Sequence, residues 1–126
     1  MENGAWYSGK VVAGHQNGRK WNYPTANLEQ VTPKPTLNNG VYAAWARVEN
    51  VNYAAMLYVG NRPTLGYEIP VIELHLLDYQ GDLYGSDVAF CVVAAVRGEM
   101  KFNSIDELVM RISVDEKLIR EILNQC

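Results

Sequence analysis

The predicted fold depends most on the stretch Asn38-Asn39-Gly40-Val41-Tyr42-Ala43-Ala44-Trp45-Ala46-Arg47-Val48. Asn and Gly tolerate positive φ, so Asn38-Asn39-Gly40 predicts a turn, and the aromatic and β-branched residues of 41–48 predict a strand. Short stretches of this kind, separated by Gly, Asn and Pro clusters, recur over residues 6–96. Such spacing is typical of an antiparallel sandwich or barrel and not of alternating strands and helices.

Five or six strands are predicted in this region. Turn residues place bends at Asn50-Val51-Asn52 and Gln80-Gly81-Asp82, and a loop over residues 61–66. The strands predicted on either side of these breaks, besides 41–48, are residues 6–13, 53–59, 71–77 and 87–96. The β region is therefore expected to cover about residues 6–98.

The character of the chain changes after Arg97. Ser104-Ile105-Asp106-Glu107 and Ser113-Val114-Asp115-Glu116 both match the capping box, which predicts two consecutive helices over about residues 103–124. Apolar residues recur at helical spacing after each box, so we expect each helix to lay one apolar face on the sheet. We find no linker or repeat, and treat residues 1–126 as a single domain.

Composition limits the classes of function. A chain of 126 residues, 48% of them hydrophobic, suits one domain. The formal net charge of −3 argues against nucleic acid as a partner. The apolar run 88–96 is about half as long as a membrane helix, and no signal stretch opens the chain. We therefore expect a soluble, cytoplasmic protein with no membrane partner.

One candidate site is the glycine-bracketed stretch Gly14-His15-Gln16-Asn17-Gly18-Arg19. It is not a Walker A loop, because only three residues separate its glycines and Pro24 keeps Tyr23 out of helical conformations. Glycines still let backbone N–H groups approach an anion, and Arg19 adds positive charge. The stretch is either a phosphate-contacting loop of another type or an ordinary surface loop.

A second candidate is Pro24-Thr25-Ala26-Asn27. In an extended segment Thr25 and Asn27 project to the same side and offer a hydroxyl and a carboxamide oxygen. A sparse pair of neutral oxygen ligands suits magnesium, which takes its remaining ligands from water and substrate phosphates. The alternative is a turn in which Thr25 and Asn27 hydrogen-bond their own backbone.

A third candidate is the strand Val71-Ile72-Glu73-Leu74-His75-Leu76-Leu77. Alternation puts Glu73 and His75 on one face, which is either a solvated polar face or a partly wet surface that suits Glu73 as a general base. Arg97 stands at the end of the last long strand, where it could anchor a planar or anionic ligand or pair with Glu99 or a helix carboxylate. Phe102 could stack on an aromatic substrate or simply pack.

Together these motifs resemble those of the riboflavin kinases, including the kinase half of the bacterial bifunctional riboflavin kinase and FAD synthetase. The resemblance runs from Gly9 to about Leu123 and keeps several motifs in one order. Besides the stretches already quoted, they are Gly40-Val41-Tyr42, Gly60-Asn61-Arg62-Pro63-Thr64, Gly81-Asp82-Leu83-Tyr84-Gly85, Arg97-Gly98-Glu99 and Lys101-Phe102.

The resemblance implies a six-stranded antiparallel Greek-key barrel with C-terminal helices, which transfers the γ-phosphoryl group of ATP to the ribityl 5′-hydroxyl of riboflavin and yields FMN. It implies Glu73 as the catalytic base, Thr25 and Asn27 as ligands of Mg²⁺, and Arg97 and Phe102 on the flavin side. The nucleotide side would comprise Gly14, Gly18, Arg19, Pro24 and His75.

The resemblance also implies small-molecule partners, ATP and riboflavin. Bacterial relatives commonly carry a further domain, an FMN adenylyltransferase, so the chain is either a free-standing kinase or one domain of a longer protein. One departure is Asn22, where the family usually carries glycine. Asn accepts left-handed backbone geometry, but the replacement of glycine by Asn22 is expected to affect the affinity for the nucleotide. The alternative function is a non-catalytic flavin- or nucleotide-binding module of the same fold.

Overall fold

The computed structural model describes residues 5–12, 26–64, 67–79 and 81–125, with the backbone alone for 62–64 and 67–70. Six strands and one helix lie within these ranges. In chain order they are β1 (Trp6–Val12), β2 (Ala26–Thr32), β3 (Gly40–Val48), β4 (Val51–Thr64), β5 (Tyr67–Leu76), β6 (Asp87–Gly98) and α1 (Ile105–Asn124).

The six strands close into an antiparallel barrel in the order β1-β2-β5-β4-β3-β6. The consecutive strands β3, β4 and β5 form a meander, and both β2 and β6 reach its edges by longer connections, β2 beside β5 and β6 beside β3. Each placement is a Greek key. The predicted fold class is therefore confirmed, and the strand missing from the sequence-based count is β2.

Alternating side chains divide the sheet into an inner and an outer face. The inner face forms the main core, in which Leu57, Leu74 and Phe90 are almost fully buried. On the outer face, Val41, Ala43 and Met56 pack against Ile119 and Leu123 of α1. The helix thus covers the part of the barrel wall that these residues form.

The β3–β4 turn lies earlier than predicted. Glu49 and Asn50 have φ values of 51° and 66°, and Val48 pairs with Val51, which makes a tight two-residue hairpin. Two consecutive residues with positive φ are what the favoured type I′ hairpin turn requires. The prediction of a turn at Asn50-Val51-Asn52 is wrong, because Val51 and Asn52 already belong to β4.

The predicted loop over residues 61–66 is also shorter than expected. β4 continues to Thr64, and its last residues pair with β5 up to the contact of Thr64 with Tyr67. The proline at 63 misled the prediction, because proline cannot donate to a ladder. It is tolerated here since β3 begins at Gly40, opposite Val59, so that among the described strands only β5 pairs with this end of β4.

Gly40 is required where β3 and β6 approach each other. Its φ is +156°, and a Cβ atom there would collide with the carbonyl oxygen of Arg97 and lie 3.1 Å from the Cα of Gly98. The glycine of the turn signal Asn38-Asn39-Gly40 therefore serves the close contact between two strands.

One helix replaces the two that were predicted. α1 begins after Ser104, whose side chain accepts a hydrogen bond from the Glu107 N–H, and it runs without a break to Asn124. The second capping box does not form: Glu116, the acid that the box requires, accepts hydrogen bonds from Arg120 one turn later. The neighbouring Asp115 accepts hydrogen bonds from Arg111, one turn earlier, and from Arg97 of β6. No glycine or proline interrupts the segment, so the helix continues through Ser113.

Candidate active site

Five residues form a row across the barrel, one on each of five neighbouring strands. Asn27 of β2 is opposite Glu73 of β5, Glu73 is opposite Tyr58 of β4, and Tyr58 is opposite Val41 of β3. Val41 is opposite Arg97 of β6. Directly opposed residues share a face, with Cβ atoms about 4.5–5.5 Å apart. We call these five residues the cross-strand row.

The cross-strand row lies on the outer face of the barrel. Leu57 and Leu74, the chain neighbours of Tyr58 and Glu73, point into the core and are 0% and 1% exposed. Strand alternation therefore turns Tyr58 and Glu73 outward. At a strand spacing of about 4.8 Å, the row spans about 19 Å. It runs from an amide and a carboxylate at one end to a guanidinium at the other.

A β-bulge places Arg97 in the row. Tyr42 pairs with Ala95 and Val41 pairs with Arg97, so β6 has one extra residue, Val96, at this point. Without the bulge, Val96 would lie opposite Val41. Bulges of this kind re-aim a side chain beside functional sites.

Asn27 has a buried side-chain oxygen. Its Oδ1 atom is buried and has no hydrogen-bond partner within the described part of the chain. Leaving such an acceptor unpaired costs about 1–3 kcal/mol, so native proteins rarely do so without a ligand or a water to satisfy it. A neutral oxygen beside the Glu73 carboxylate fits Mg²⁺, a hard cation that prefers oxygen ligands. No described group of three or more His, Cys, Asp or Glu side chains offers another metal site.

Glu73 is partly buried at the centre of the polar end of the row, between Asn27 and Tyr58. A carboxylate in this position can accept a proton from a substrate hydroxyl laid along the row. His75 lies two residues further along β5 on the same face, opposite Met56, which contacts α1. The predicted shared face of Glu73 and His75 is therefore confirmed, while the nucleotide-binding role of His75 stays a prediction.

Tyr58 is held by a network that sequence reasoning missed. Its hydroxyl donates to Oε2 of Glu99 at 3.0 Å, and Nδ2 of Asn39 donates to Oε1 of the same carboxylate at 3.2 Å. Burial, the hydrogen bond to Glu99 and the negative charges of Glu99 and Glu73 raise the pKa of Tyr58 to about 12. Tyr58 therefore stays neutral at physiological pH.

Arg97 is fixed by the helix. Its Nε and Nη2 atoms each lie 2.9 Å from Oδ2 of Asp115, a carboxylate that is 0% exposed. Of the partners considered from sequence, the helix carboxylate is the one observed, and Glu99 instead binds Tyr58. The guanidinium lies 5.8 Å from the centroid of the Phe102 ring. The two residues assigned to the flavin side are thus neighbours, and their contact with a flavin stays a prediction.

Five predicted site residues lie outside the described part of the chain, as does Asn22. They are Gly14, Gly18, Arg19, Pro24 and Thr25. The structure therefore brings together Asn27, Glu73 and Arg97 from the predicted set, with His75 and Phe102 close to the row.

A separate groove of about 410 Å³ lies between the β3–β4 hairpin and the end of α1, lined by residues that include Trp45, Tyr53 and Asn124. Its charges are already matched, since Arg120 Nη1 lies 2.8 Å from Asp78 and Nη2 lies 3.0 Å from Glu116. No predicted site residue lines this groove. The candidate site is therefore the cross-strand row.

Comparison with known proteins agrees with this geometry. The family model described as Flavokinase, riboflavin kinase, matches residues 3–123. The chain belongs to the riboflavin kinase family. The match extends over all six strands of the barrel and most of α1, so it includes the whole cross-strand row.

Curated relatives of this riboflavin kinase domain are longer proteins. The RNA-binding riboflavin kinase RibR of Bacillus subtilis is 33% identical over 109 residues, which cover 86% of this chain and 46% of that protein. The bifunctional riboflavin kinase/FMN adenylyltransferase of Escherichia coli is 36% identical over 118 residues, which cover 90% of this chain and 36% of that protein. The chain thus spans less than half the length of these relatives.

Solved structures share the fold of the riboflavin kinase domain. A macrolide-efflux protein from Streptococcus pneumoniae superposes with a TM-score of 0.85 at 32% identity, covering 93% of this chain and 38% of that one. Riboflavin kinase from Trypanosoma brucei superposes with a TM-score of 0.68 at 24% identity, covering 94% and 76%. The second likeness supports the fold alone.

Within the part of the chain that the structure describes, no helix combines the length and apolar character that a bilayer crossing requires.

Proposed function

We propose that this domain is an ATP-dependent riboflavin kinase, which transfers the γ-phosphoryl group of MgATP to the ribityl 5′-hydroxyl of riboflavin and releases FMN and ADP. The observation that carries the proposal is the direct opposition of Asn27 and Glu73, which puts a buried amide oxygen without a hydrogen-bond partner among the described residues beside a carboxylate. Membership of the riboflavin kinase family supports the same activity.

Glu73 is the proton acceptor in this proposal. The 5′-hydroxyl oxygen forms a bond to the γ-phosphorus while the bond from that phosphorus to the β–γ bridging oxygen breaks, and ADP leaves. The hydroxyl proton passes to the Glu73 carboxylate, which later releases it to water. Phosphoryl transfer depends chiefly on positioning and on neutralising phosphate charge, so one base on a rigid strand is a sufficient protein contribution.

Asn27 and Thr25 would hold Mg²⁺ in this proposal. The ion would neutralise charge on the phosphate oxygens of ATP. The unpaired Oδ1 of Asn27 supports the assignment, since a bound cation would satisfy an acceptor that otherwise costs folding free energy. Thr25 follows from the resemblance and from its place two residues before Asn27.

The two substrates would lie at opposite ends of the row. We assign Gly14, Gly18, Arg19, Pro24 and His75 to ATP, beside Asn27, and Arg97 and Phe102 to the flavin ring. Support for the flavin end is the guanidinium of Arg97, which Asp115 immobilises next to the Phe102 ring. The three strand spacings between Arg97 and Glu73, about 14 Å, suit an extended ring and ribityl chain that reach from one residue to the other.

We further propose a cytoplasmic protein in which this domain is joined to an FMN adenylyltransferase domain. The names of the bifunctional relatives and the small share of their length that the chain covers support the joined form. The formal net charge of −3 supports small-molecule substrates and does not favour a nucleic-acid partner.

The test is to incubate the purified protein with riboflavin, ATP and magnesium and to separate the flavins by chromatography. The proposal predicts FMN and ADP in equal amounts, dependent on both ATP and magnesium. Riboflavin or FMN binding without any FMN formation at saturating MgATP would instead establish a non-catalytic flavin-binding module.

A further inference from the structure

Tyr58 occupies the middle of the cross-strand row, between the proposed base and the proposed flavin end. It is opposite Glu73 on one side and opposite Val41 on the other, and Arg97 follows Val41. Val41 is 3% exposed beneath α1, so Tyr58 is the partly exposed row residue between Arg97 and Glu73. A substrate whose ring lies at Arg97 and whose reacting hydroxyl lies at Glu73 would therefore contact Tyr58. In riboflavin the part between these two points is the hydroxyl-bearing ribityl chain.

The Tyr58 hydroxyl donates one hydrogen bond, and its oxygen can also accept one. It donates its proton to Glu99 at 3.0 Å, and a phenol oxygen that donates can still accept from a second partner. Because Glu99 is held in turn by Asn39, the direction of the Tyr58 O–H bond is fixed. The accepting side of the oxygen is therefore oriented before a substrate arrives, which lowers the entropic cost of binding.

The Tyr58 ring is also fixed in place, because it packs over the backbone of Gly60. A Cβ atom built on Gly60 would lie 2.6 Å from Cζ and 2.8 Å from Cε2 of Tyr58, distances that real Cβ atoms do not show. Only glycine at position 60 leaves room for the ring in this orientation. Gly60 and Glu99 therefore hold Tyr58 from two sides.

We propose that Tyr58 determines specificity for the substrate by accepting a hydrogen bond from a hydroxyl of its ribityl chain. The proposal rests on the proposed function, and it adds a contact to the part of the substrate that neither Glu73 nor Arg97 would reach. Tyr58 would act in binding, not in the proton transfer.

The experiment compares Tyr58→Phe with wild type on riboflavin and on lumiflavin, which has the same ring with a methyl group in place of the ribityl chain. Phe keeps the ring over Gly60 and removes only the hydroxyl. One neutral hydrogen bond is worth about 0.5–1.5 kcal/mol, so we expect the KM for riboflavin to rise roughly 2- to 12-fold, with kcat nearly unchanged. The inhibition constant of lumiflavin should not change.

Tyr53→Phe is the matched control. Tyr53 lies on the same strand, packs against the main core and contacts Tyr79, so its hydroxyl is on the other side of the sheet from the row. We expect this variant to leave both flavin constants unchanged.

The outcomes separate this proposal from the proposed function. If wild type forms no FMN, the proposed function fails and the contact to a kinase substrate fails with it. If wild type is active, an unchanged riboflavin KM in Tyr58→Phe overturns the proposal, as does an equal loss for riboflavin and lumiflavin. Should lumiflavin not bind wild type, the KM for ATP takes its place as the constant that must not change.

Gly60→Ala tests the same contact by a different physical change. The added methyl group must displace the Tyr58 ring, so the riboflavin KM should rise as it does in Tyr58→Phe, and the double variant should show little further loss. Additive effects of the two substitutions on the riboflavin KM would contradict a shared contact.

Discussion

Asn27 and Glu73 face each other on adjacent strands of a closed barrel, and the Oδ1 atom of Asn27 is buried without a hydrogen-bond partner among the described residues. An unpaired acceptor is a cost to folding, and its place beside a carboxylate on the outer face gives that cost a functional meaning. Substitution of Asn27 should therefore lower activity, whereas substitution of a side chain whose hydrogen bonds are satisfied within the fold should lower stability.

Asn27→Ala should lower activity without lowering stability. The substitution removes an acceptor that gains no hydrogen bond on folding, so the free energy of unfolding should fall by no more than about 1 kcal/mol in urea denaturation. The magnesium concentration for half-maximal activity should rise at least about tenfold. A loss of metal affinity of this size is typical even for residues that hydrogen-bond a metal ligand without touching the metal.

Asn52→Ala is the matched control for Asn27→Ala. The Oδ1 atom of Asn52 accepts from Nε of Arg47 at 2.9 Å on the exposed surface. This variant should lose about 0.5–1 kcal/mol of stability and keep its magnesium requirement. The opposite pattern in the two variants would mean that Asn27 has only a structural role.

Asp115→Asn should destabilise the fold strongly. Asp115 is 0% exposed and contacts both Arg97 and Arg111, so its loss leaves two guanidinium groups without their counter-charge. Breaking a buried ion pair costs about 3–5 kcal/mol, and the partial exposure of Arg111 places the expected loss near the lower value. Glu116→Gln, which breaks a partly exposed pair with Arg120, should cost less, about 1 kcal/mol.

The two serines of the capping boxes should behave differently. Ser104 caps α1, so Ser104→Ala should cost about 0.5–2 kcal/mol of unfolding free energy. Ser113 lies inside the helix, where alanine has the higher helix propensity, so Ser113→Ala should be neutral or slightly stabilising. Equal losses in the two variants would indicate a helix start at each serine.

The contrast between the serines shows what the sequence could and could not predict about the fold. Strand positions followed from alternation and turn residues, and the barrel was predicted correctly. The second helix start was not, because the capping pattern of Ser113 is local, whereas the bonds that Asp115 makes to Arg97 depend on how the helix packs on β6. A helix carboxylate was considered as a partner of Arg97, but no local pattern distinguishes Asp115 from the other acidic residues of the helix.

The same limit applies to the site. Alternation placed Glu73 and His75 on one face, and hydroxyl and amide chemistry singled out Asn27. Tyr58 was missed because its importance comes from the register of β4 against β5, which puts it opposite Glu73, and from the Glu99 carboxylate 41 residues away. The register of β4 against β5 was not predicted, because residues 61–66 were expected to form a loop and β4 was not extended to Thr64.

Tyr58 should lose its proton only at high pH, and the loss should affect stability only in alkaline solution. Its pKa is about 12 in the folded protein and near 10 when unfolded, so the unfolded chain loses the proton first. Its contribution to stability is therefore complete below pH 10 and is lost between about pH 10 and pH 12. The ultraviolet tyrosinate difference between wild type and Tyr58→Phe should show this late step, and a midpoint near 10 would contradict it.

The most direct measurement is FMN formation by Glu73→Gln, made together with the binding of riboflavin and MgATP to the same variant. The account predicts a kcat lower by about 10²–10⁴, the usual contribution of a general base, with both substrates still bound and the fold intact. Glu121→Gln, an exposed carboxylate of α1, should keep wild-type kcat. If Glu73→Gln formed FMN at the wild-type rate, the assignment of Glu73 as the proton acceptor would be wrong.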